Sequence, residues 1–433
     1  MNQLNTLDDV PVKNLGWQVT FAGLGINLAL GVLYSWSIIS GAIDEAGWGW
    51  TQTQMSLPYS VACLVFCLIM VPAGRMQDKM GPRLVASLGG LLVGIGMIAA
   101  SFTKTPIGYI IGFGVLAGAG IGFGYASATP PAVKWFPPAK TGMIAGIVVS
   151  GFGLASVYVA PLARWLASSY NLKTMMMVLG IGFLFIVTGL AQFLKPPHPA
   201  FQLIKGLGRA GAHKKELDAH QETLEFTPKE MLSSITFYML WFMYACGAGA
   251  GLMIISVAKT LSKTGVVSTE SDTEKTGAGV AAVVSLAIGN GVGRILAGML
   301  SDKLGRKVTL FLFFMMQAVM VILLALAGRE GSELGTATFF IVVSALVGAN
   351  YGANLALFPS ITKDYYGAKN FGVNYGLVFT SWGIGGFLLA LLAAQVYDKQ
   401  QSFAFALYCS AALLIAAAAL TFAVKPPRKP KPV

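Results

Sequence analysis

One arginine stands where a charge is expensive. The stretch Gly289-Asn290-Gly291-Val292-Gly293-Arg294-Ile295-Leu296-Ala297-Gly298 lies in an apolar run from Gly277 to Leu300 that no Asp or Glu interrupts. An arginine in hydrocarbon costs about 2.5–3.5 kcal/mol even on the lenient insertion scale, so it normally has a partner or a task. Its planar fork donates two parallel hydrogen bonds and suits a carboxylate. Asn290 precedes it by four residues, which on a helix puts both side chains on one face. Its amide can donate to the same carboxylate or to a hydroxyl on a bound solute. Two plainer readings stand beside these. Arg294 lies six residues before the end of the run, about 9 Å of helix, within snorkelling reach of the interface. An intramembrane asparagine also serves to bond one helix to another.

The elements that must position this pair are membrane spans. Of 433 residues, 55% are hydrophobic and 11% charged, a balance foreign to soluble domains. Apolar runs long enough to cross a ~30 Å hydrocarbon core as helices recur about twelve times. They fall near 17–43, 53–74, 84–103, 107–132, 141–166 and 174–194, then 231–257, 276–300, 308–327, 336–362, 372–394 and 403–424. The expected fold is an all-α membrane protein of two six-helix bundles, 1–194 and 231–424. A polar central loop, 195–230, joins them, and a basic tail, 425–433, follows. The net charge of +12 is what cytoplasmic loops supply under the positive-inside rule, and it does not imply nucleic acid. Arg75, Lys79, Arg83, the central loop, Lys303, Arg306, Lys307 and the tail all fall on one side. The intervening loops carry Asp44, Glu45, Glu270, Asp272, Glu274, Glu330 and Glu333. Both termini are therefore expected in the cytoplasm of a multi-pass protein of the cell (inner) membrane.

Other chemistry is sparse. Cys63, Cys67, Cys246 and Cys409 lie in apolar runs, where a thiol behaves as a small hydrophobe. Cys63 and Cys67 are one helical turn apart, but no further Cys or His stands near them to complete a metal site. His198, His213 and His220 all fall in the central loop. Neither a metal nor a cofactor is expected. H-E-x-x-H, G-x-S-x-G and in-membrane Ser/His or paired-Asp arrangements are missing, which argues against a membrane enzyme.

The chain repeats itself. Gly74-Arg75-Met76-Gln77-Asp78-Lys79-Met80-Gly81-Pro82-Arg83 and Gly298-Met299-Leu300-Ser301-Asp302-Lys303-Leu304-Gly305-Arg306-Lys307 match as G-x-x-x-D-K-x-G-x-[RK], 224 residues apart. Two copies at equivalent places in two six-span halves point to a parallel duplication. The same shift sets Met70 against Arg294 and Phe66 against Asn290, so the fold itself does not require a cation there.

This duplicated loop resembles the hallmark motif of the major facilitator superfamily of transporters, and the resemblance covers essentially the whole chain. Finer stretches are similar to the branch that contains the oxalate:formate antiporter and the monocarboxylate (lactate and pyruvate) transporters. They are Gly31-Val32-Leu33-Tyr34-Ser35-Trp36, Lys134-Trp135-Phe136-Pro137 through Gly142 and Gly146, Leu357-Phe358-Pro359-Ser360, and the boundary Asp44-Glu45-Ala46-Gly47-Trp48-Gly49-Trp50. The resemblance implies alternating access by two halves rocking about a central site. It also implies that Asp78 and Asp302, with Gly74, Arg83, Gly298 and Arg306, tie helix ends together as a gate and do not touch substrate. Animal monocarboxylate carriers place an aspartate tied to proton coupling where this chain has Asn290. The oxalate carrier complements its arginine with a lysine in the eleventh span. Alignment on Asn374-Tyr375-Gly376 sets Trp382 at that position.

No Asp or Glu occupies the central part of any span. One central cation pairs one carboxylate, and the second charge of a dianion left desolvated would cost several kcal/mol. The charge count points to a monoanion, moved with a proton or in exchange for another anion. Trp382, Tyr34, Tyr125 and Tyr351 would wall a small, mostly apolar pocket, with Leu33 and Phe152 at further positions. Each aromatic is equally readable as ordinary packing. The expected partners are a small carboxylate anion, with or without a proton, and the lipid bilayer; nothing identifies a protein partner. The alternatives are an oxalate:formate exchanger that brings Lys259 or Arg164 inward, and a sensor that binds an anion without moving it. Gly114, Gly118 and Gly122, like Gly142, Gly146 and Ser150, form small-residue faces that let helices approach.

Overall fold

The computed structural model describes residues 6–7, 10–11, 14–136, 141–197, 225–264, 267, 272–329, 331–367 and 370–427. The central loop is thus described only at its two ends. The three histidines, the tail beyond 427 and the side chains of Asp78 and Asp302 lie outside the described residues. Among the described residues twelve helices are long and apolar enough to cross a membrane: Gly16–Glu45 (α1), Gln52–Gln77 (α2), Pro82–Ser101 (α3), Pro106–Lys134 (α4), Met143–Ser169 (α5), Leu172–Ala191 (α6), Ile235–Lys263 (α7), Glu274–Ser301 (α8), Arg306–Ala327 (α9), Ala337–Tyr366 (α10), Val373–Gln400 (α11) and Ala404–Ala423 (α12). A two-residue antiparallel ladder, Thr6–Leu7 with Val10–Pro11, precedes them. Several helices outrun the apolar windows read from sequence because helical hydrogen bonding continues into polar caps. The α2 helix, for example, opens on a capping box of Thr51 and Gln54, which satisfies two end N–H groups reciprocally.

Burial separates inner from outer helices. The apolar windows of α1 and α7 are 94% and 83% buried, against 39% for α6 and 44% for α9 and α12. The halves meet chiefly where α2 packs on α11, α5 on α8, and α1 on α7. Inside the first half, Gly114, Gly118 and Gly122 lay α4 on α2. A Cβ at these positions would stand 3.1 Å from the Pro58 carbonyl oxygen, 2.9 Å from Ala62 Cα and 2.9 Å from the Phe66 carbonyl oxygen. The face expected on α5 is different at Gly146, where among the described residues no packing partner lies within 4 Å of an added Cβ. That helix instead seats on α1 through Val148, whose carbonyl accepts from Asn27 Nδ2 at 2.8 Å, and through Gly151 against Leu24.

The closest approach in the second half fixes the helix that carries Arg294. Gly289 and Gly293 of α8 lie against the carbonyls of Ala345 and Ala349 on α10, and Gly348 and Gly352 lie against those of Leu286 and Asn290. Backbone meets backbone on both sides, so α8 has one rotational setting. A methyl group here has only backbone to displace, and overpacking of this kind costs about 1–3 kcal/mol. Gly293→Ala is expected to lower the thermal unfolding midpoint of the purified protein clearly, and Gly298→Ala, where no packing partner among the described residues lies within 4 Å, to leave it unchanged. Equal midpoints for the two variants would contradict this packing.

Candidate functional site

The first span is not one continuous α-helix. Between Gly16–Leu30 and Trp36–Glu45 the five residues Gly31–Ser35 form a 3-10 turn, a tighter winding that often marks a hinge or site. Gly31 lets α5 pack closely on this turn, because a Cβ there would stand 2.5 Å from the Phe152 carbonyl oxygen. Leu33 and Tyr34 sit in this turn, both buried. The Tyr34 hydroxyl lies 2.5 Å from the Tyr351 hydroxyl of α10, and Trp382 Nε1 of α11 donates to that same Tyr351 oxygen at 2.8 Å. The indole can only donate, so of the two hydroxyl protons one lies in the Tyr34–Tyr351 bond and the other stays available.

Rings gather around this bond. Tyr34 meets Phe152 edge-on at 4.9 Å, and Tyr125 meets Phe152 at 5.3 Å. Phe66 contacts Tyr125, Phe152 and Trp382 at 5.3, 5.8 and 5.1 Å. Phe379 stacks on Trp382 at 5.1 Å and reaches Tyr244 and Tyr375 at 6.2 and 5.8 Å. The aromatic residues expected from sequence are therefore brought together from five different spans. Phe66, Phe379, Tyr244 and Tyr375 join them without having been anticipated. For Phe66 a signal existed, since the 224-residue shift makes it the counterpart of Asn290. The other three carry no pattern that separates them from ordinary packing.

Arg294 is 8% exposed and its side chain runs toward the other half of the molecule. Nη1 donates to the Val149 carbonyl of α5 at 2.8 Å, and Nε donates to Asn290 Oδ1 at 3.1 Å. Among the described residues no carboxylate lies within ion-pair distance of it. Two of its five N–H donors are thus engaged by protein. Because Asn290 Oδ1 accepts from a guanidinium, the orientation of the amide is fixed, and its Nδ2 is buried with no partner among the described residues. Gly153 lets the backbone of α5 come close to both groups. A Cβ there would lie 3.2 Å from Asn290 Nδ2 and 3.4 Å from Arg294 Nη2. Tyr34, Tyr125 and Tyr375 are within electrostatic reach of the guanidinium. The region offers N–H and O–H donors, a positive charge and apolar ring faces, a combination that receives a small anionic acceptor.

The expected gate residues are spread more widely. Among the described residues no packing partner lies within 4 Å of an added Cβ at Gly74 or Gly298, and Arg83 is exposed. Arg306 Nε donates to Asp364 Oδ2 at 3.0 Å, and its Nη1 donates to the Ser301 hydroxyl. It therefore ties the ends of α8, α9 and α10 together within one half. Lys259 and Arg164, considered as cations to be brought inward, are both held by Glu45, at 2.9 and 2.5 Å.

Comparison with known proteins places this architecture. The chain is 27% identical to the uncharacterized MFS-type transporter YhjX of Escherichia coli (strain K12), over 85% of each chain. It is 27% identical to the oxalate:formate antiporter of Oxalobacter formigenes, over 88% of this chain and 86% of that one. It is 23% identical to monocarboxylate transporter 13 of Rattus norvegicus, over 79% of this chain and 73% of the relative. The model of the Major Facilitator Superfamily matches residues 26–267 and 240–433. Twelve spanning helices in two packed halves, a repeated loop after the second and eighth, and a family match over nearly the whole length lead to one statement: the chain belongs to the Major Facilitator Superfamily.

Proposed function

We propose that the chain is a secondary active carrier of small monocarboxylates of the size of lactate or pyruvate, working by alternating access with the substrate carboxylate paired to Arg294. One observation carries this reading. A buried guanidinium between the halves has no carboxylate partner among the described residues. Beside it a buried amide donor is unpaired among the described residues, and the backbone of α5 at Gly153 lies close against both. A carboxylate supplies the two acceptor oxygens that such a fork lacks. Tyr34, Tyr125, Tyr351, Trp382 and Phe152 would form the wall, with Leu33 adding aliphatic surface. Position 290 holds an amide and cannot relay a proton as a carboxylate does. A cotransported proton would therefore neutralise the anion bound at Arg294, and exchange of one anion for another needs no proton. The lysine and arginine distribution supports a cytoplasmic position for the Arg306 end.

A second reading is exchange of the oxalate:formate type, favoured by the Oxalobacter relative. Weighing against it, both extra cations that could meet a dianion are engaged by Glu45. Uptake of labelled lactate, pyruvate, acetate, formate and oxalate into proteoliposomes separates the two. Saturable monocarboxylate uptake that oxalate barely inhibits is the expected result. Strong inhibition by oxalate and formate with none by lactate or pyruvate would put the second reading in its place, and absence of any counterflow would reject both.

A further inference from the structure

Among the described residues, hydrogen bonds join the halves from the Glu45 end of the bundle down to the bond between Arg294 and Val149. Closest to that end are two clasps built from carboxylates. In the first, Glu45 of α1 accepts from Lys259 Nζ of α7 at 2.9 Å through Oε1 and from Arg164 Nη1 of α5 at 2.5 Å through Oε2. In the second, Asp398 of α11 accepts from the backbone N–H groups of Gln52 and Thr53, at 2.7 and 2.8 Å. These are free donors at the N-terminus of α2, where the helix dipole also favours a negative charge. Below them Ser56 donates to the Ala390 carbonyl at 3.2 Å and Tyr59 to the Leu252 carbonyl at 3.1 Å.

The first clasp is shaped to fit. The Lys259 side chain is 1% exposed and threads past α1 at Gly41, where a Cβ would stand 2.6 Å from Nζ and 2.8 Å from Cε. Gly279 of α8 also lies against its stem, where a Cβ would stand 3.2 Å from Lys259 Cα and 3.3 Å from its Cγ. Two glycines thus make the channel through which a buried ammonium reaches a carboxylate on the opposite half. Arg164 belongs to the same half as Glu45, so parting of the halves leaves that pair whole and breaks the bond to Lys259. Lys263 adds looser contacts to Asp44 and Glu45, at 3.6 and 3.8 Å.

We infer that Glu45 with Lys259, and Asp398 with the N-terminus of α2, form a two-point latch that holds the Glu45 end of the molecule shut and must release for that end to open. The inference needs the halves to move relative to each other, but it does not depend on which solute is carried. The distance between spin labels at Lys104→Cys on the first half and Gln400→Cys on the second, with the four native cysteines replaced by serine, reports the latch directly in the full reconstituted chain. Lys259→Gln and Glu45→Gln should each raise the population of the longer distance about tenfold, the effect of losing one charge-assisted hydrogen bond. Asp398→Asn should raise it also, and the Glu45→Gln/Asp398→Asn pair more than either alone. Arg164→Gln should change it much less. An unchanged distance distribution in Lys259→Gln and in the double variant would overturn the latch, as would an effect of Arg164→Gln equal to that of Lys259→Gln. Because the readout is a distance, a failed carboxylate uptake assay would leave this result standing, and the reverse also holds.

Discussion

Arg294→Ala is expected to abolish saturable carboxylate uptake while leaving a protein that inserts, purifies and unfolds cooperatively. The guanidinium makes two bonds to protein, to Asn290 Oδ1 and to the Val149 carbonyl, and its remaining donors are those assigned here to the substrate. A hydrogen bond to a charged group contributes about 1.5–3 kcal/mol, so loss of a two-bond carboxylate pair corresponds to at least about a hundredfold fall in transport efficiency. Arg294→Lys discriminates further. A lysine keeps the charge but cannot hold the Asn290 oxygen, the Val149 carbonyl and a bidentate carboxylate at once. Its uptake should fall about tenfold or more, mainly through a higher half-saturating concentration. Asn290→Ala removes one neutral donor and should cost less than either. Undiminished uptake by Arg294→Ala would remove the residue from the substrate site and leave it as an interhelical brace between α8 and α5.

How far the sequence leads depends on the range of the interaction concerned. Spanning helices announce themselves locally, because twenty apolar residues exclude water whatever surrounds them. All twelve were legible for that reason, as was their division into halves from the loop repeated at Gly74 and Gly298. Asn290 and Arg294 share a helix face by spacing alone, and the structure joins them at 3.1 Å. What spacing could not supply is the setting of that helix. It depends on Gly289 and Gly293 meeting Ala345 and Ala349 on another span, and a glycine in a membrane helix looks the same whether it is packed, as at Gly114, or open, as at Gly146. Lys259 shows the same limit. A lysine late in the seventh span reads as a spare cation until its partner is known, and that partner, Glu45, is 214 residues away in the other half. The ring group was half legible: Tyr34, Tyr125, Phe152, Tyr351 and Trp382 were named, while Phe379, at its centre, follows only from how α11 faces α2 and α4.

Trp382→Lys is expected to turn the site toward dicarboxylates. With a single central cation, a dianion brings one carboxylate that nothing neutralises, and an uncompensated buried charge costs several kcal/mol. Trp382 is 1% exposed, donates to the Tyr351 hydroxyl at 2.8 Å and lies between the rings of Phe66 and Phe379, each at 5.1 Å. A lysine ammonium can take over the bond to Tyr351, its stem can lie along the same rings, and their faces attract a cation. The loss of indole packing lowers stability whatever replaces it, since truncating a buried tryptophan costs about 3–5 kcal/mol. The comparison that matters is therefore with Trp382→Met, which loses the ring without gaining a charge. One new charge-assisted hydrogen bond changes affinity about ten- to a hundredfold. Oxalate should thus inhibit Trp382→Lys at concentrations at least about tenfold lower than it does Trp382→Met, with lactate shifting little between the two. Equal inhibition of both variants by oxalate would mean that charge count does not set selectivity, and the restriction to one carboxylate would then have to come from the volume enclosed by the rings.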